Sequence, residues 1–217
     1  NARTLLRRNG ENEQAALDEI DKLVQGVARA DRPETLLGLE GQGAAVYFRA
    51  FARLLEGRVD RAFDFERRNR RPARDPTNAL LSFAYGLLTT AFTEVVDRVG
   101  FDAYLGFYHR PKYGKPALAL DLMEEFRPLI ADSVVLGVLR RRMLDPEDFI
   151  LTRTACALSA AGRRRFLQAF ENRMSEKVTH PVFGYRAPYR QILEIQARLL
   201  GRFLTGEIDE YPEFVTR

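Results

Sequence analysis

The sequence has few of the residues that mark several common protein classes. It contains a single cysteine, Cys156, which excludes an internal disulfide framework. With one Cys and two His in 217 residues, zinc ribbons and other Cys-rich metal clusters are excluded as well. No apolar run approaches the ~20 residues of a membrane helix, and no basic-then-apolar leader opens the chain. We therefore expect a cytoplasmic protein without a membrane partner.

Short catalytic motifs are missing too. The chain has no Walker loop, no GxGxxG after a strand, no GxSxG and no HExxH. A Ser-His-Asp triad would have to use His109 or His180, and neither has a persuasive nucleophile beside it. The common nucleotide-binding, esterase and zinc-protease classes are therefore not predicted.

The residues that are present describe a globular, basic protein. Hydrophobic residues make up 46% and charged residues 29%, with 34 basic against 30 acidic residues, a net charge of +4. Only four of the basic residues are lysine. Arginine binds phosphate oxygens through two parallel hydrogen bonds. A GC-rich genome would also favour arginine, so the position of these residues matters more than their number.

Hydrophobic periodicity near 3.6 residues predicts an all-α fold. We expect one domain over residues 1–217, a multi-helix lobe of six or seven helices, with at most a short hairpin near residues 149–159. Pro128 is expected to kink the fourth of these helices. The predicted helices span residues 11–30, 33–57, 77–99, 117–143, 160–177 and 187–205, followed by an extended tail.

A lone acid, Glu40, stands in the glycine-rich helical segment LLGLEGQGAAVYF. Three glycines in one helix cost roughly 1 kcal/mol each relative to alanine, so close approach to that backbone is expected. An acid buried there needs a metal ion or a cationic partner. Binding to a metal and pairing with an arginine such as Arg127 both remain open.

His109 lies in a loop that leads into a helix with three acids. Asp121 and Glu124 are three residues apart and fall on one polar side of that helix, whereas Glu125 lies nearer the buried stripe. A packed or solvent-facing His and a solvated acidic face are the plain alternatives. One imidazole with one or two carboxylates otherwise predicts a site for Mn²⁺ or Mg²⁺, with Glu40 as third ligand.

Five arginines without an acid among them lie in the irregular segment RRNRRPAR. Such a loop near a divalent-metal cluster suits a phosphodiester backbone. Two further triplets, residues 140–142 and 163–165, lie at helix ends, where basic residues also complement the helix dipole. The loop arginines are Arg67, Arg68, Arg70, Arg71 and Arg74.

Three motifs together carry a resemblance to the CRISPR-associated integrase, the endonuclease of the spacer-acquisition step. RRNRRPARDPTNALLSFAYGLL resembles the stretch in which an Arg-rich loop leads through D-P-x-N into a helix. GLEGQGAAVYF resembles the first metal-ligand helix of that family, and GFYHRPKYGKPALALDLMEEFRP resembles its His-then-acid segment. The motifs occur in the family's order, and RTLLRRN near the start fits its interdomain helix.

The resemblance implies roles for individual residues. Glu40, His109 and Glu124 match the metal ligands, and Asp121 matches a further catalytic acid; the choice between Glu124 and Glu125 remains open. The implied DNA-binding residues are Arg67, Arg68, Arg70, Arg71, Arg74 and Asn78. The resemblance also implies that this chain is the α-helical catalytic lobe and that the family's N-terminal β-rich domain is missing from it.

The activity implied by the resemblance is metal-dependent insertion of short foreign DNA fragments into a CRISPR array. A fragment's 3′-hydroxyl attacks a repeat phosphodiester, with Mn²⁺ or Mg²⁺ as cofactor. Implied partners are prespacer DNA, the CRISPR repeat, a second copy in a homodimer, a small bridging adaptation protein and a fused or associated exonuclease. A non-catalytic Arg-rich DNA-binding or scaffolding lobe and a metal-dependent hydrolase of small phosphates are the alternatives.

Overall fold

The computed structural model describes residues 1–10, 13–69 and 72–216. This part of the chain forms eight α-helices and two short antiparallel hairpins. The helices are α1 (Ala2–Asn9), α2 (Gln14–Val27), α3 (Pro33–Leu55), α4 (Pro76–Val99), α5 (Ala117–Met123), α6 (Ser133–Arg140), α7 (Ala160–Ser175) and α8 (Tyr189–Leu204). The strands are β1 (Phe149–Leu151), β2 (Cys156–Leu158), β3 (Lys177–Thr179) and β4 (Arg186–Pro188).

Local signals explain where the two longest helices begin and end. Each opens on a proline, whose fixed φ suits a first turn and whose missing N–H has no partner there in any case. The carboxylate of Asp75 caps α4 by accepting the N–H of Asn78 at 2.7 Å. Gly57 follows α3 at φ +65° and Gly100 follows α4 at φ +99°, a conformation that stops a helix at low cost.

The segment from Ala117 to Arg140 is helical but not continuous. After α5 a turn covers residues 124–126, and a π-helix, Arg127–Asp132, then leads into α6. Pro128 has no N–H to donate to the carbonyl of Glu124, so the regular pattern is interrupted and the helix widens. The kink predicted at this proline takes the form of a π-helix.

The chain divides into two compact units. Unit 1 comprises Asn1, Leu81–Val135 and Arg163–Arg217; unit 2 comprises Ala2–Leu80 and Leu136–Gly162. In unit 2, α2 packs against α3, and Phe48, Phe51 and Phe65 meet with ring centroids 5.8–6.3 Å apart. In unit 1, the buried Phe92 and Phe126 pack at 5.5 Å.

The all-α prediction and its hairpin are confirmed. β1 and β2 pair antiparallel between Phe149 and Leu158, inside the predicted range. The second hairpin, in which Lys177 pairs with Pro188, was not predicted, because strands of three residues leave no alternating pattern to detect. The segment 211–216 has no regular secondary structure, as expected of the tail, but its Phe214 is fully buried.

Helix α4 is an exception to the expectation that no segment is apolar and long enough for a membrane helix. By length and composition alone it would be able to cross a membrane, and it is the one such helix among the described residues. Of its most apolar stretch, 44% is buried inside the protein, including Leu88 and Phe92. A buried core helix meets the same criterion, so α4 is weak evidence for a membrane span.

Candidate active site

The loop between α4 and α5 is wound around one carboxylate, that of Asp121. Its Oδ2 accepts the backbone N–H groups of Phe107 at 2.6 Å and Tyr108 at 3.0 Å, and its Oδ1 accepts the N–H of His109 at 2.9 Å. Gly106 permits this close wrapping, since a Cβ there would lie 2.7 Å from the Cβ of Ala117. The acid therefore fixes the backbone on which His109 stands.

The same acid also orients the imidazole of His109. Nδ1 of the ring lies 2.6 Å from Asp121 Oδ1, with the His side chain 31% exposed and the acid 12% exposed. Because a carboxylate only accepts, we assign the proton to Nδ1, which leaves the lone pair on Nε2. A carboxylate behind one ring nitrogen is the usual support of a histidine that binds a metal or accepts a proton with the other.

Glu124 lies at the carboxyl end of α5, three residues after Asp121. Both of its carboxylate oxygens accept from Nη1 of Arg127, at 2.7 and 2.8 Å. The guanidinium of Arg127 stacks on the ring of Tyr85 at 4.3 Å, and the Tyr85 hydroxyl donates to Asp132 at 2.6 Å. A cation bound by Glu124 would therefore share this carboxylate with Arg127.

The surroundings of Arg127 keep its guanidinium protonated. Burial by itself lowers the pKa of the guanidinium, but Tyr85, Glu124 and Asp132 together outweigh burial and raise the pKa above its ordinary value. Arg127 thus remains a permanent cation that holds Glu124 in one orientation.

Glu125 is used quite differently from its neighbour. Its carboxylate is half-buried, and it accepts hydrogen bonds from the N–H of Phe214 at 3.0 Å and from Nε2 of Gln196 at 3.3 Å. Burial raises the pKa of Glu125 above its ordinary value, and the hydrogen bond from Phe214 opposes that shift. Between the two adjacent acids, Glu124 is therefore the better candidate ligand.

Glu40 requires a correction. It was expected to be buried among close-packed glycines, but it is exposed on α3. A Cβ added at Gly38 or Gly41 would meet nothing within 4 Å, so no protein segment approaches those glycines. Much of the amino-terminal half of α3 is exposed, which explains why the expectation of burial was wrong.

The donor groups fit a hard divalent cation only in part. Unit 1 supplies a carboxylate-oriented imidazole and the carboxylate of Glu124, both suitable ligands for Mn²⁺. Within either unit, and over the residues that the structure describes, no group of three His, Cys, Asp or Glu side chains is arranged to hold a metal ion. A third ligand from Glu40, which belongs to unit 2, stays a prediction.

The Arg-rich loop is folded around the side chain of Asn78. Its Nδ2 donates to the carbonyl of Arg67 at 2.9 Å and to Asp75 Oδ2 at 2.7 Å. Its Oδ1 accepts from the N–H of Asn69 at 2.9 Å and from Nη1 of Arg68 at 2.7 Å. Asn78 is 0% exposed. The assignment of this residue to DNA contact is therefore corrected, because it shapes the loop from inside.

The loop arginines divide into groups. Arg67 and Arg74 are exposed, whereas Arg68 is half-buried and tied to the carbonyl of Asn69 and to Asn78. Arg70 and Arg71 lie outside the described residues. Arg67 and Arg74 are thus the described loop arginines best placed to meet a phosphate.

These two arginines line an open cavity of about 680 Å³ in unit 2. Arg53 lines it too but is bound to the buried Glu13, and that hydrogen bond raises the pKa of Arg53. Acidic side chains also contribute to the wall: Glu56, Asp64, Glu66 and Asp75. The mixed charge favours an extended backbone that touches the exposed arginines over a small free anion seated in the cavity.

The loop before α5 exposes several aromatic residues. Tyr104, Phe107 and Tyr113 are exposed, and Tyr113 is fully so. Arg110, Lys112 and Lys115 alternate with them in sequence. Aromatic and basic residues therefore interleave in a Gly/Pro-rich loop, a composition suited to stacking on unpaired bases.

The fold and the site define an α-helical protein in which a loop imidazole is hydrogen-bonded to a carboxylate of the following helix, and a second carboxylate lies at the end of that helix. The family model of CRISPR associated protein Cas1 matches residues 1–172. The chain belongs to this family, which confirms the resemblance carried by its motifs.

Known proteins similar to the chain agree with this membership. A CRISPR-associated exonuclease Cas4/endonuclease Cas1 fusion of Geobacter sulfurreducens is 50% identical over 226 residues, which cover 100% of this chain and 40% of the relative. The chain therefore spans less than half of that relative's length. A solved partial Cas6-RT-Cas1–Cas2 complex matches with a TM-score of 0.83 at 27% identity, covering 99% of this chain and 63% of the other. A casposase bound to integration product matches with a TM-score of 0.79 at 25% identity, covering 99% and 64%.

Proposed function

We propose that this chain is the catalytic lobe of a DNA integrase and endonuclease that inserts short DNA fragments into a CRISPR array. The observation that carries the proposal is the His109 imidazole, whose Nδ1 is held by Asp121 and whose Nε2 is left to bind or accept. The endonuclease names of relatives and the integration product in the casposase structure support the same activity.

His109, Glu124 and Glu40 are the residues that would hold Mn²⁺ or Mg²⁺. When bound, such an ion polarises a scissile phosphate and lowers the pKa of an attacking hydroxyl. Side chains of the protein hold these candidate ligands in position. Asp121 keeps the ring of His109 in one tautomer and one orientation, and Arg127 keeps Glu124 from rotating away.

We assign the contacts with the DNA substrate to the Arg-rich loop and to the loop before α5. Arg67 and Arg74 would neutralise backbone phosphates. Tyr113 and Phe107 would stack on unpaired bases of a fragment end beside His109. Prespacer fragments and the CRISPR repeat are the DNA partners in this proposal.

Protein partners follow from the same relatives. The solved complexes with Cas2 support a small bridging protein as partner, and the Cas4 fusion supports an exonuclease, fused or associated. Two-ended insertion needs two active sites at a fixed spacing. A homodimer joined by the bridging protein would supply that spacing.

The test is metal-dependent nicking and strand transfer on branched DNA. His109→Ala is expected to abolish the Mn²⁺-dependent product while DNA binding persists. Glu124→Gln is expected to reduce the same product. Its matched control is Glu171→Gln, which replaces an exposed carboxylate paired with Arg190 and should retain activity. DNA binding without turnover by the unmodified protein would instead support the non-catalytic scaffolding lobe.

A further inference from the structure

Residues Tyr211–Thr216, here named the strap, form an irregular segment that packs into unit 1. The strap has no regular secondary structure, and neighbouring Val215 is 45% exposed, but Phe214 is 0% exposed. The burial of Phe214 in this irregular segment is explained by the residues that its ring contacts.

Phe214 packs against the turn that follows α5. Its ring stacks on Phe126, with centroids 5.1 Å apart and planes 25° apart. The buried His180 meets the Phe214 ring edge-to-face, with centroids 5.5 Å apart. Phe126 is two residues from Glu124, so the anchor of the strap supports the same turn that carries the candidate ligand.

Hydrogen bonds fasten the strap to the middle residue of that turn. The N–H of Phe214 donates to Oε2 of Glu125 at 3.0 Å, and Gln196 Nε2 approaches the same oxygen at 3.3 Å. Gln196 Nε2 also lies 3.0 Å from both the Tyr211 hydroxyl and the Pro212 carbonyl. One amide therefore links strap and turn.

The orientation of that amide is fixed by His180. Its Nδ1 faces the backbone N–H groups of Val182 and Phe183, at 3.3 and 3.4 Å. Nε2 therefore carries the proton and donates to Gln196 Oε1 at 3.1 Å, which directs the NH₂ of Gln196 to the strap. The side chain of Asn1 adds a bridge, donating to the carbonyls of Glu125 at 2.7 Å and Phe214 at 2.6 Å.

We propose that the strap positions Glu124, with Phe214 as the positioning residue. Glu124, Glu125 and Phe126 are consecutive, so the strap contacts two of the three residues of the turn while Glu124 binds Arg127. Release of the strap frees the turn and lets the carboxylate of Glu124 leave its position on Arg127. Because one ring and a few hydrogen bonds hold the strap, it opens at lower free energy than the helices.

This inference rests on the proposed function only for the role of Glu124 as a ligand. Two readouts test the strap separately from the proposed function. The first is amide hydrogen exchange of the protein carrying Phe214→Ala, with the exposed neighbour Val215→Ala as control. Protection of the amides of residues 124–130 is expected to fall about tenfold or more in Phe214→Ala, while those of α4 residues 88–96 keep theirs. Val215→Ala should leave both regions unchanged.

The second readout is the Mn²⁺ concentration that gives half-maximal nicking. It is expected to rise several-fold in Phe214→Ala with DNA affinity unchanged, and Phe214→Leu should restore part of the loss. A general loss of structure would lower protection everywhere, in which case the milder Phe214→Leu provides the measurement. Unaltered protection of residues 124–130 in both variants would overturn the proposal. If the unmodified protein does not nick DNA, the proposed function fails, and the exchange data still decide the role of the strap.

Discussion

Replacing Asn78 with alanine removes the group around which the Arg-rich loop is folded. The Asn78 side chain makes four hydrogen bonds of 2.7–2.9 Å, two donated to Arg67 and Asp75 and two accepted from Asn69 and Arg68. Alanine leaves those partners without their bonds in a region that is only part-buried, so water can replace some of them.

The magnitude follows from the count. A net contribution of about 0.5–1.5 kcal/mol per bond gives ~2–6 kcal/mol for four. Because the partners of Asn78 are half-buried or exposed, water can solvate them in the variant. We therefore expect the lower half, about 2–4 kcal/mol, which for a chain of this size lowers Tm by roughly 5–15 °C. DNA affinity should fall as well, since Arg67 and Arg74 lose the scaffold that presents them.

Thermal and urea unfolding of Asn78→Ala measure this, with DNA binding at two salt concentrations. Asn172→Ala is the matched control, because Asn172 is exposed and its side-chain oxygen accepts one bond, from Gln168 at 2.9 Å. That control should change Tm by little. A Tm of Asn78→Ala within about 1 °C of the unmodified protein would refute the loop account, since it would mean the four bonds contribute almost nothing.

Further outcomes can be checked with single assays. Gly106→Ala sets a carbon 2.7 Å from the side chain of a residue in α5, so nicking activity and Tm should both fall; Gly38→Ala, where the new carbon meets nothing within 4 Å, is its control. Gly38→Ala combined with Gly41→Ala should raise Tm, because each helix glycine costs about 0.5–1 kcal/mol relative to alanine. Unchanged or lower stability would contradict the open space around these two glycines. Arg67→Ala with Arg74→Ala should flatten the salt dependence of DNA binding by about one unit per lost phosphate contact; an unchanged slope would assign both residues a structural role.

Much of the fold was predictable because the helices carry their own boundary signals. Pro76 and Gly100 bracket α4, and Pro128 marks the interruption after α5. Each of these acts through local backbone chemistry, which is written in the sequence itself. The second hairpin escaped prediction because its pairing depends on the tertiary setting of residues 177–188 rather than on an alternating pattern.

The candidate site was predictable in its local part only. The His109–Asp121 pair spans twelve residues and follows from a loop folding back onto the helix after it. The density of glycines around Glu40 predicts close packing, but glycines on an exposed face look the same in sequence, so the predicted burial was wrong. The buried Phe214 gave no periodic signal at all, since its partners, Phe126 and His180, are distant in sequence.

The π-helix after α5 has a consequence for which insertions and deletions related sequences can carry in this segment. A π-turn contains one residue more than the α-turn it replaces, so it behaves as a single-residue insertion tolerated inside a helix. The wide turn absorbs the extra residue locally, so the buried side chains of α6, such as Val135 and Leu139, stay in the core. Deleting one residue between Arg127 and Asp132 would close the turn to the α form with little rotation of α6. We therefore expect relatives to tolerate a one-residue gap in this segment without compensating changes on α6.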